Sequence, residues 1–141
     1  MKKVVISSDK APKATGPFSQ AILTENKYRL ELGGQIGLNP QTGKLVEGGV
    51  SSQTEQTLKN IEGVLSELGW TLGNITKVRV FLVSMSDYLT MNEVYSKKFK
   101  DAPPARVAVA VFELPLGGLV EIDCVAEGDE ISKKARVKYN L

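Results

Sequence analysis

Residues 103–126 read PPARVAVAVFELPLGGLVEIDCVA. Two runs of valine, isoleucine and alanine flank Leu114-Pro115-Leu116-Gly117-Gly118, where proline fixes φ and glycine admits positive φ. The segment therefore reverses the chain, and the whole stretch reads as a β-hairpin. Side chains alternate along a strand, which sets Arg106, Ala108, Ala110 and Phe112 on one face and Val107, Val109 and Val111 on the other. The valines form the expected core face. The other face is a shallow apolar floor with a fixed charge at one end. If Phe112 pairs with Leu119 across the turn, Glu121 falls opposite Ala110 and points to the same floor. Arg106 and Ala110 then lie about 13 Å apart at roughly 3.3 Å per residue, and the reach of the two charged side chains leaves a gap the size of a few-carbon acid. Taken alone, Arg106 is equally well explained as an interface salt bridge, and Glu121 better so.

The rest of the composition bounds what such a gap can do. A chain of 141 residues with 42% hydrophobic and 24% charged content suits one globular domain over residues 1–141. Net charge is only +2, and the clusters Lys97-Lys98 to Lys100 and Lys133 to Lys138 read as solvated faces, so neither nucleic acid nor a membrane surface is an expected partner. The apolar run after Met1 is too brief for a signal peptide and no stretch is long enough to span a bilayer, which predicts a cytoplasmic protein. Cys124 is the only cysteine and sits among apolar neighbours, as a small buried hydrophobe does. There is no histidine, which removes the usual general base, the triads built on it and most zinc sites. No phosphate loop, GxGxxG or paired CxxC occurs, so no cofactor or metal is expected. Carboxylates, arginine, hydroxyls, backbone and water remain.

Outward from the hairpin, Lys2 to Ser7 is a strand candidate, Ser8 to Gly16 a loop, and Gln20 to Thr24 and Tyr28 to Gly34 a hairpin across Glu25-Asn26-Lys27. Gly33-Gly34-Gln35-Ile36-Gly37 marks either a bulge or a close approach to the backbone. Asn39 to Gly43 is a turn. Ser51 or Ser52 caps a helix carrying Leu58, Ile61, Val64, Leu65 and Leu68, which Gly69 ends. Ile75 to Val83 is a strand; Ser86 or Asp87 caps a second helix with Tyr88, Met91, Val94, Tyr95 and Phe99 inward and Asn92 beside them. The tail from Gly128 is polar and basic. Two helices cover one sheet face, so the Ala108, Ala110 and Phe112 face, with Leu119 and Val125, needs another subunit.

The stretches GPFSQA, GGQIG, PPARVAV and LPLGGLVEIDCVA, in this order, resemble the RidA (YjgF-like) family of reactive-intermediate deaminases over nearly the whole chain to about Glu127. The resemblance implies a chorismate-mutase-like α+β fold: a mixed sheet with two helices on one face, assembled as a homotrimer around a central barrel with pockets between subunits. It implies cofactor-free hydrolysis of 2-imino acids, such as 2-iminobutanoate and 2-iminopropanoate, to 2-oxo acids and ammonia. Arg106 matches the arginine that binds the substrate carboxylate, Glu121 the acid that holds the attacking water, Gly34 the segment that presents backbone to the ligand, and Asn92 an asparagine bordering the cleft. Phe18 stands where many members have tyrosine and Ala108 where many have cysteine; the first removes a hydroxyl, and the second position acts through its backbone N–H.

The chemistry fits these groups. A guanidinium grips a carboxylate with two parallel hydrogen bonds, orienting the adjacent C=N carbon for water held by Glu121. Imines hydrolyse unaided, so positioning and general-base help of about 10² to 10⁴-fold suffice. Two alternatives stand beside this one: a trimeric module that binds small carboxylates without turnover, and, more weakly, a ribonuclease or translation inhibitor.

Overall fold

A computed structural model describes residues 1–141. Its strands are β1 (Lys3–Ile6), β2 (Ala21–Thr24), β3 (Tyr28–Ile36), β4 (Ile75–Leu82), β5 (Ala105–Ala110) and β6 (Val120–Gly128), and its helices are α1 (Gly49–Ser66), α2 (Tyr88–Lys98) and α3 (Lys133–Tyr139). The fold is α+β. A mixed sheet runs in the order β3-β6-β4-β5, and β1 and β2 pair separately as an antiparallel ribbon. β4 and β5 are parallel, because α2 connects them and a helical crossover returns the chain to the same end of the sheet.

The core lies between this sheet and α1 and α2. Val78, Val80 and Leu82 of β4 alternate inward beside Val120, Ile122, Cys124 and Ala126 of β6. They meet Leu58, Ile61 and Leu65 of α1 and Met91 and Tyr95 of α2, all fully buried. Burying each large apolar side chain contributes about 1.5–3 kcal/mol, and these two periodicities, 2 in the strands and 3.6 in the helices, bring that surface to one plane. No helix is long and apolar enough to cross a membrane.

Several expectations are corrected. The 103–126 hairpin does not form: β4 lies between β5 and β6. The connection takes one short 3₁₀ turn at Pro115–Gly117, in which Leu116 and Gly117 have φ of 57° and 74°, and it redirects the chain across the sheet end to the far side of β4. β2 and β3 likewise do not pair with each other; β2 joins β1, and β3 joins β6. The face assignment in β5 is inverted. Arg106, Ala108 and Ala110 stand in register with Val78, Val80 and Leu82 on the helix-covered side, whereas Val107 and Val109, 42% and 41% exposed, lie on the open face. Phe112 follows the strand and is 97% exposed.

The helices differ from expectation in detail. α1 starts three to four residues early, after Gly48 in the left-handed region, with no side-chain cap from Ser51 or Ser52. Ser84 caps a 3₁₀ turn that leads into α2, its hydroxyl accepting from the Ser86 N–H. The tail carries a third helix, α3, capped by Ser132, whose hydroxyl accepts from the Ala135 N–H. It is moored by the Trp70 indole donating to the Glu130 carbonyl at 2.7 Å and by Ser132 N–H donating to the Leu68 carbonyl at 2.9 Å.

Candidate functional site

Arg106 sits on the edge strand β5, where Val78 of β4 is its only lateral strand neighbour. Its side chain runs under α2. Tyr88, Met91, Asn92 and Tyr95 occupy positions i, i+3, i+4 and i+7 of that helix, the spacing that stacks side chains on one face. All four reach the guanidinium. Nη1 donates to Asn92 Oδ1 at 2.8 Å and approaches Met91 Sδ at 4.0 Å, and Nη2 donates to the Tyr88 hydroxyl at 3.1 Å. The guanidinium carbon lies 4.7 Å from the Tyr95 ring centre and 5.7 Å from that of Tyr88.

Phe18 closes the cage, 5.5 Å from the guanidinium carbon. It comes from a distant part of the chain because Ser19 bridges to Ala105, its N–H donating to the Pro104 carbonyl at 3.2 Å and its hydroxyl to Pro103. The PPAR stretch thus holds the GPFSQ loop against the start of β5. Each ring over the cation contributes about 0.5–1 kcal/mol at a part-exposed site. Together they fix the guanidinium without neutralising it: Arg106 has no carboxylate of this chain within 4.0 Å.

An arginine has five N–H donors. With the contacts to Asn92, Met91 and Tyr88 made, two remain, one on Nε and one on Nη2. That is the number a carboxylate takes up through two parallel hydrogen bonds. Ala108, two residues along the same face, packs its methyl against the core.

Gly34 and Glu121 form a second cluster. The β3–β6 register shifts between Leu32 and Gln35, so the glycines form a bulge, and that bulge accommodates the Glu121 side chain: a Cβ on Gly34 would overlap its carboxylate. Both readings of the glycine run therefore hold at one place. Glu121, half-buried, is in register with Phe81 and through it with Val109 on the open face. Arg106 aligns with Val78 and Cys124 on the opposite face. The shared floor expected for Arg106 and Glu121 is thus absent within one chain. The structure gathers Phe18, Asn92, Arg106 and Ala108 on one side of the sheet and Gly34 with Glu121 on the other.

Tyr88, Tyr95 and Met91 are the site residues that sequence reasoning assigned only to packing. Their spacing from Asn92 was the available signal. Tyr95 is fully buried, its hydroxyl has no partner, and burial pushes its ionisation well above the usual range. Cys124 lies behind Arg106 at 3% exposure, and burial pushes its thiol up to about 12. A thiol held protonated near neutrality is no nucleophile. Cys124→Ala is accordingly expected to leave turnover within about twofold while costing on the order of 1 kcal/mol of stability by cavity formation; a large loss of activity in a folded protein, measured by ammonia release and thermal melting together, would reassign the nucleophile.

The sequence profile of the Endoribonuclease L-PSP family matches residues 8–128. A RutC family protein of Pyrococcus abyssi is 44% identical over 126 residues, covering 89% of this chain and 98% of that one. The human 2-iminobutanoate/2-iminopropanoate deaminase is 43% identical over 122 residues, 86% of this chain and 88% of that one. The crystal structure of RidA from an Antarctic Psychrobacter superposes with a TM-score of 0.68 at 38% identity, covering 88% of this chain and 98% of that one.

Proposed function

The chain belongs to the RidA (YjgF-like) family, the one described by the Endoribonuclease L-PSP profile, and on that premise we propose that it hydrolyses 2-imino acids such as 2-iminobutanoate and 2-iminopropanoate to 2-oxo acids and ammonia. The observation that carries this reading is the state of Arg106: caged by three rings, oriented by Asn92 and Tyr88, unpaired with any carboxylate, and left with two donors. Such a group binds the carboxylate of a small acid. The mammalian and plant relatives whose names specify imine or reactive-intermediate deamination give the reaction class.

The carboxylate on Arg106 fixes the adjacent C=N carbon. Water held by Glu121 adds to that carbon, forming a C–O bond as the C=N π pair moves to nitrogen, and Glu121 accepts the proton the water loses. Returning that proton to the nitrogen gives a carbinolamine, C(OH)–NH2; Glu121 then takes the hydroxyl proton and passes it to the amine, so that the C–N bond breaks with its electron pair leaving on ammonia while the former O–H pair becomes the second bond of the 2-oxo carbonyl. General-base help of this kind is worth about 10² to 10⁴-fold. The reacting groups come from this chain type alone.

Arg106 and Glu121 face opposite sides of one sheet, so we place the complete site between copies, the guanidinium of one facing the Glu121 of its neighbour. The exposed Val107 and Val109 on the Glu121 face are the surface that a neighbour covers. Three copies around a barrel is the assembly proposed. Light scattering at micromolar concentration is expected to give about three times the 15.3 kDa chain mass, and a stable monomer would remove the site as drawn. The decisive assay generates 2-iminobutanoate enzymatically and follows ammonia release with and without the protein. Acceleration supports the deaminase; binding of 2-oxobutanoate with no acceleration would replace it with a carboxylate-binding module.

A further inference from the structure

We propose that Tyr88 contacts the ligand: its hydroxyl, set in place by Arg106, donates a third hydrogen bond to the carboxylate that the guanidinium holds. The proposal rests on Arg106 as a carboxylate clamp and adds a recognition residue to it.

Arginine only donates, so in the 3.1 Å contact with Nη2 the Tyr88 oxygen is the acceptor. A phenol also has one proton to donate. No side chain or backbone acceptor of the chain receives it, since the contact with Arg106 is the only hydrogen bond that Tyr88 makes through its side chain. The hydroxyl is also confined. A Cβ on Gly16 would stand 3.5 Å from it and 3.1 Å from the Phe18 ring, so the Gly16–Phe18 loop packs against this side of the tyrosine. The oxygen is held between that loop and the guanidinium, with its proton unspent.

Tyr95 supplies the contrast. It lies on the same helix face and under the same guanidinium, but it is fully buried and no Arg106 N–H points to its hydroxyl. That is how a packing tyrosine sits here. Tyr88 is half-buried and hydrogen-bonded to the one free cation of the site. Phe18 brings a ring without a hydroxyl to the guanidinium from one side, and Tyr88 brings both from the other. The donor that phenylalanine at position 18 lacks is therefore offered from α2. A carboxylate has about four acceptor positions on its two oxygens, enough for the guanidinium pair and a phenol together.

The alternative is that Tyr88 serves only as an acceptor that orients Arg106. Fluorination separates the two roles, because a 3-fluorotyrosine hydroxyl is a stronger donor and a weaker acceptor. The probe is 2-oxobutanoate, titrated by calorimetry into the full-length protein at a pH where the phenol stays protonated. Tyr88→Phe is expected to weaken binding about 10- to 100-fold, the scale for a hydrogen bond to a charged group. The KM for 2-iminobutanoate should rise by a similar factor with kcat nearly unchanged, the mark of a contact made equally in the ground and transition states. Incorporating 3-fluorotyrosine at position 88 should tighten binding a few-fold, and adding Phe18→Tyr to Tyr88→Phe should recover part of the loss. Wild-type affinity in Tyr88→Phe, or weaker binding with 3-fluorotyrosine, would overturn the assignment. If the wild type binds 2-oxobutanoate but releases no extra ammonia, deamination fails and the Tyr88 assignment is still decided by these affinities. If the wild type binds no 2-oxo acid, the carboxylate clamp fails and Tyr88 with it.

Discussion

Replacing Arg106 with lysine is expected to lower kcat/KM for 2-iminobutanoate by roughly 30- to 1000-fold, nearly as much as replacing it with alanine. Charge is conserved in Arg106→Lys, so the loss isolates geometry. The guanidinium here does three things at once that an ammonium cannot: it donates to Asn92 and Tyr88 on separate nitrogens, lies among three aromatic rings, and keeps two donors for a carboxylate. An ammonium has three donors on one nitrogen, and satisfying Asn92 and Tyr88 leaves one. Losing the charged double contact in a partly desolvated site costs about 2 to 4 kcal/mol, which is the stated range of rates. The check is steady-state kinetics beside calorimetric affinity for 2-oxobutanoate, with thermal melting to show that each variant folds. Wild-type activity in Arg106→Lys would dispose of the clamp.

A second large effect follows from the two sheet faces. Arg106→Ala and Glu121→Gln should each be nearly inactive alone. When the two inactive proteins are unfolded, mixed in equal amounts and refolded together, activity should reappear at about a quarter of the wild-type level. With one residue drawn from each of two adjacent copies, random assembly places an intact Arg106 opposite an intact Glu121 in about one site of four. A site contained within one chain would give no recovery at all, because every chain in the mixture lacks one of the two groups. Glu121→Gln should also retain most of its affinity for 2-oxobutanoate while losing turnover, since it keeps size and hydrogen bonding but not the base.

Much of the secondary structure was legible because it rests on local chemistry. The β-branched alternation of Ile75 to Leu82, the 3.6-residue spacing of Leu58, Ile61 and Leu65, and the Asn39 to Gly43 turn each carry their own signal; in the last, Gly43 has φ of 67° and donates to the Asn39 carbonyl at 2.8 Å. Partner choice was not local. A run such as ARVAVA says that a strand exists and which residues share a face, but its alternation is symmetric and does not say which face is the core. The buried row Val78, Val80, Leu82 decided that, by pairing with Arg106, Ala108 and Ala110. The strand-helix-strand order of β4, α2 and β5 did carry a signal for parallel pairing, and it outweighed the glycine-rich turn that suggested a hairpin. The residues of the candidate site were named through the family resemblance. Their division between two sheet faces was not legible, because that depends on the register of three strands, and Tyr88 was hidden by its double character as an apolar ring and a donor.

The position of β6 bears on how the chain is made. β6, one of the two interior strands of the sheet, is the last of the six to be synthesised, and it pairs on one side with β3, joining Tyr28 to Gly128, and on the other with β4. Closing contacts that far apart in sequence is entropically slow. A nascent chain that ends before Val120 holds the β4–β5 pair with an open edge and β3 with no strand partner, the situation in which strands recruit neighbouring chains. A ribosome that stalls before Val120 would therefore release an aggregation-prone product, and α3, moored through Glu130 and Ser132 just beyond β6, latches the sheet immediately after its keystone.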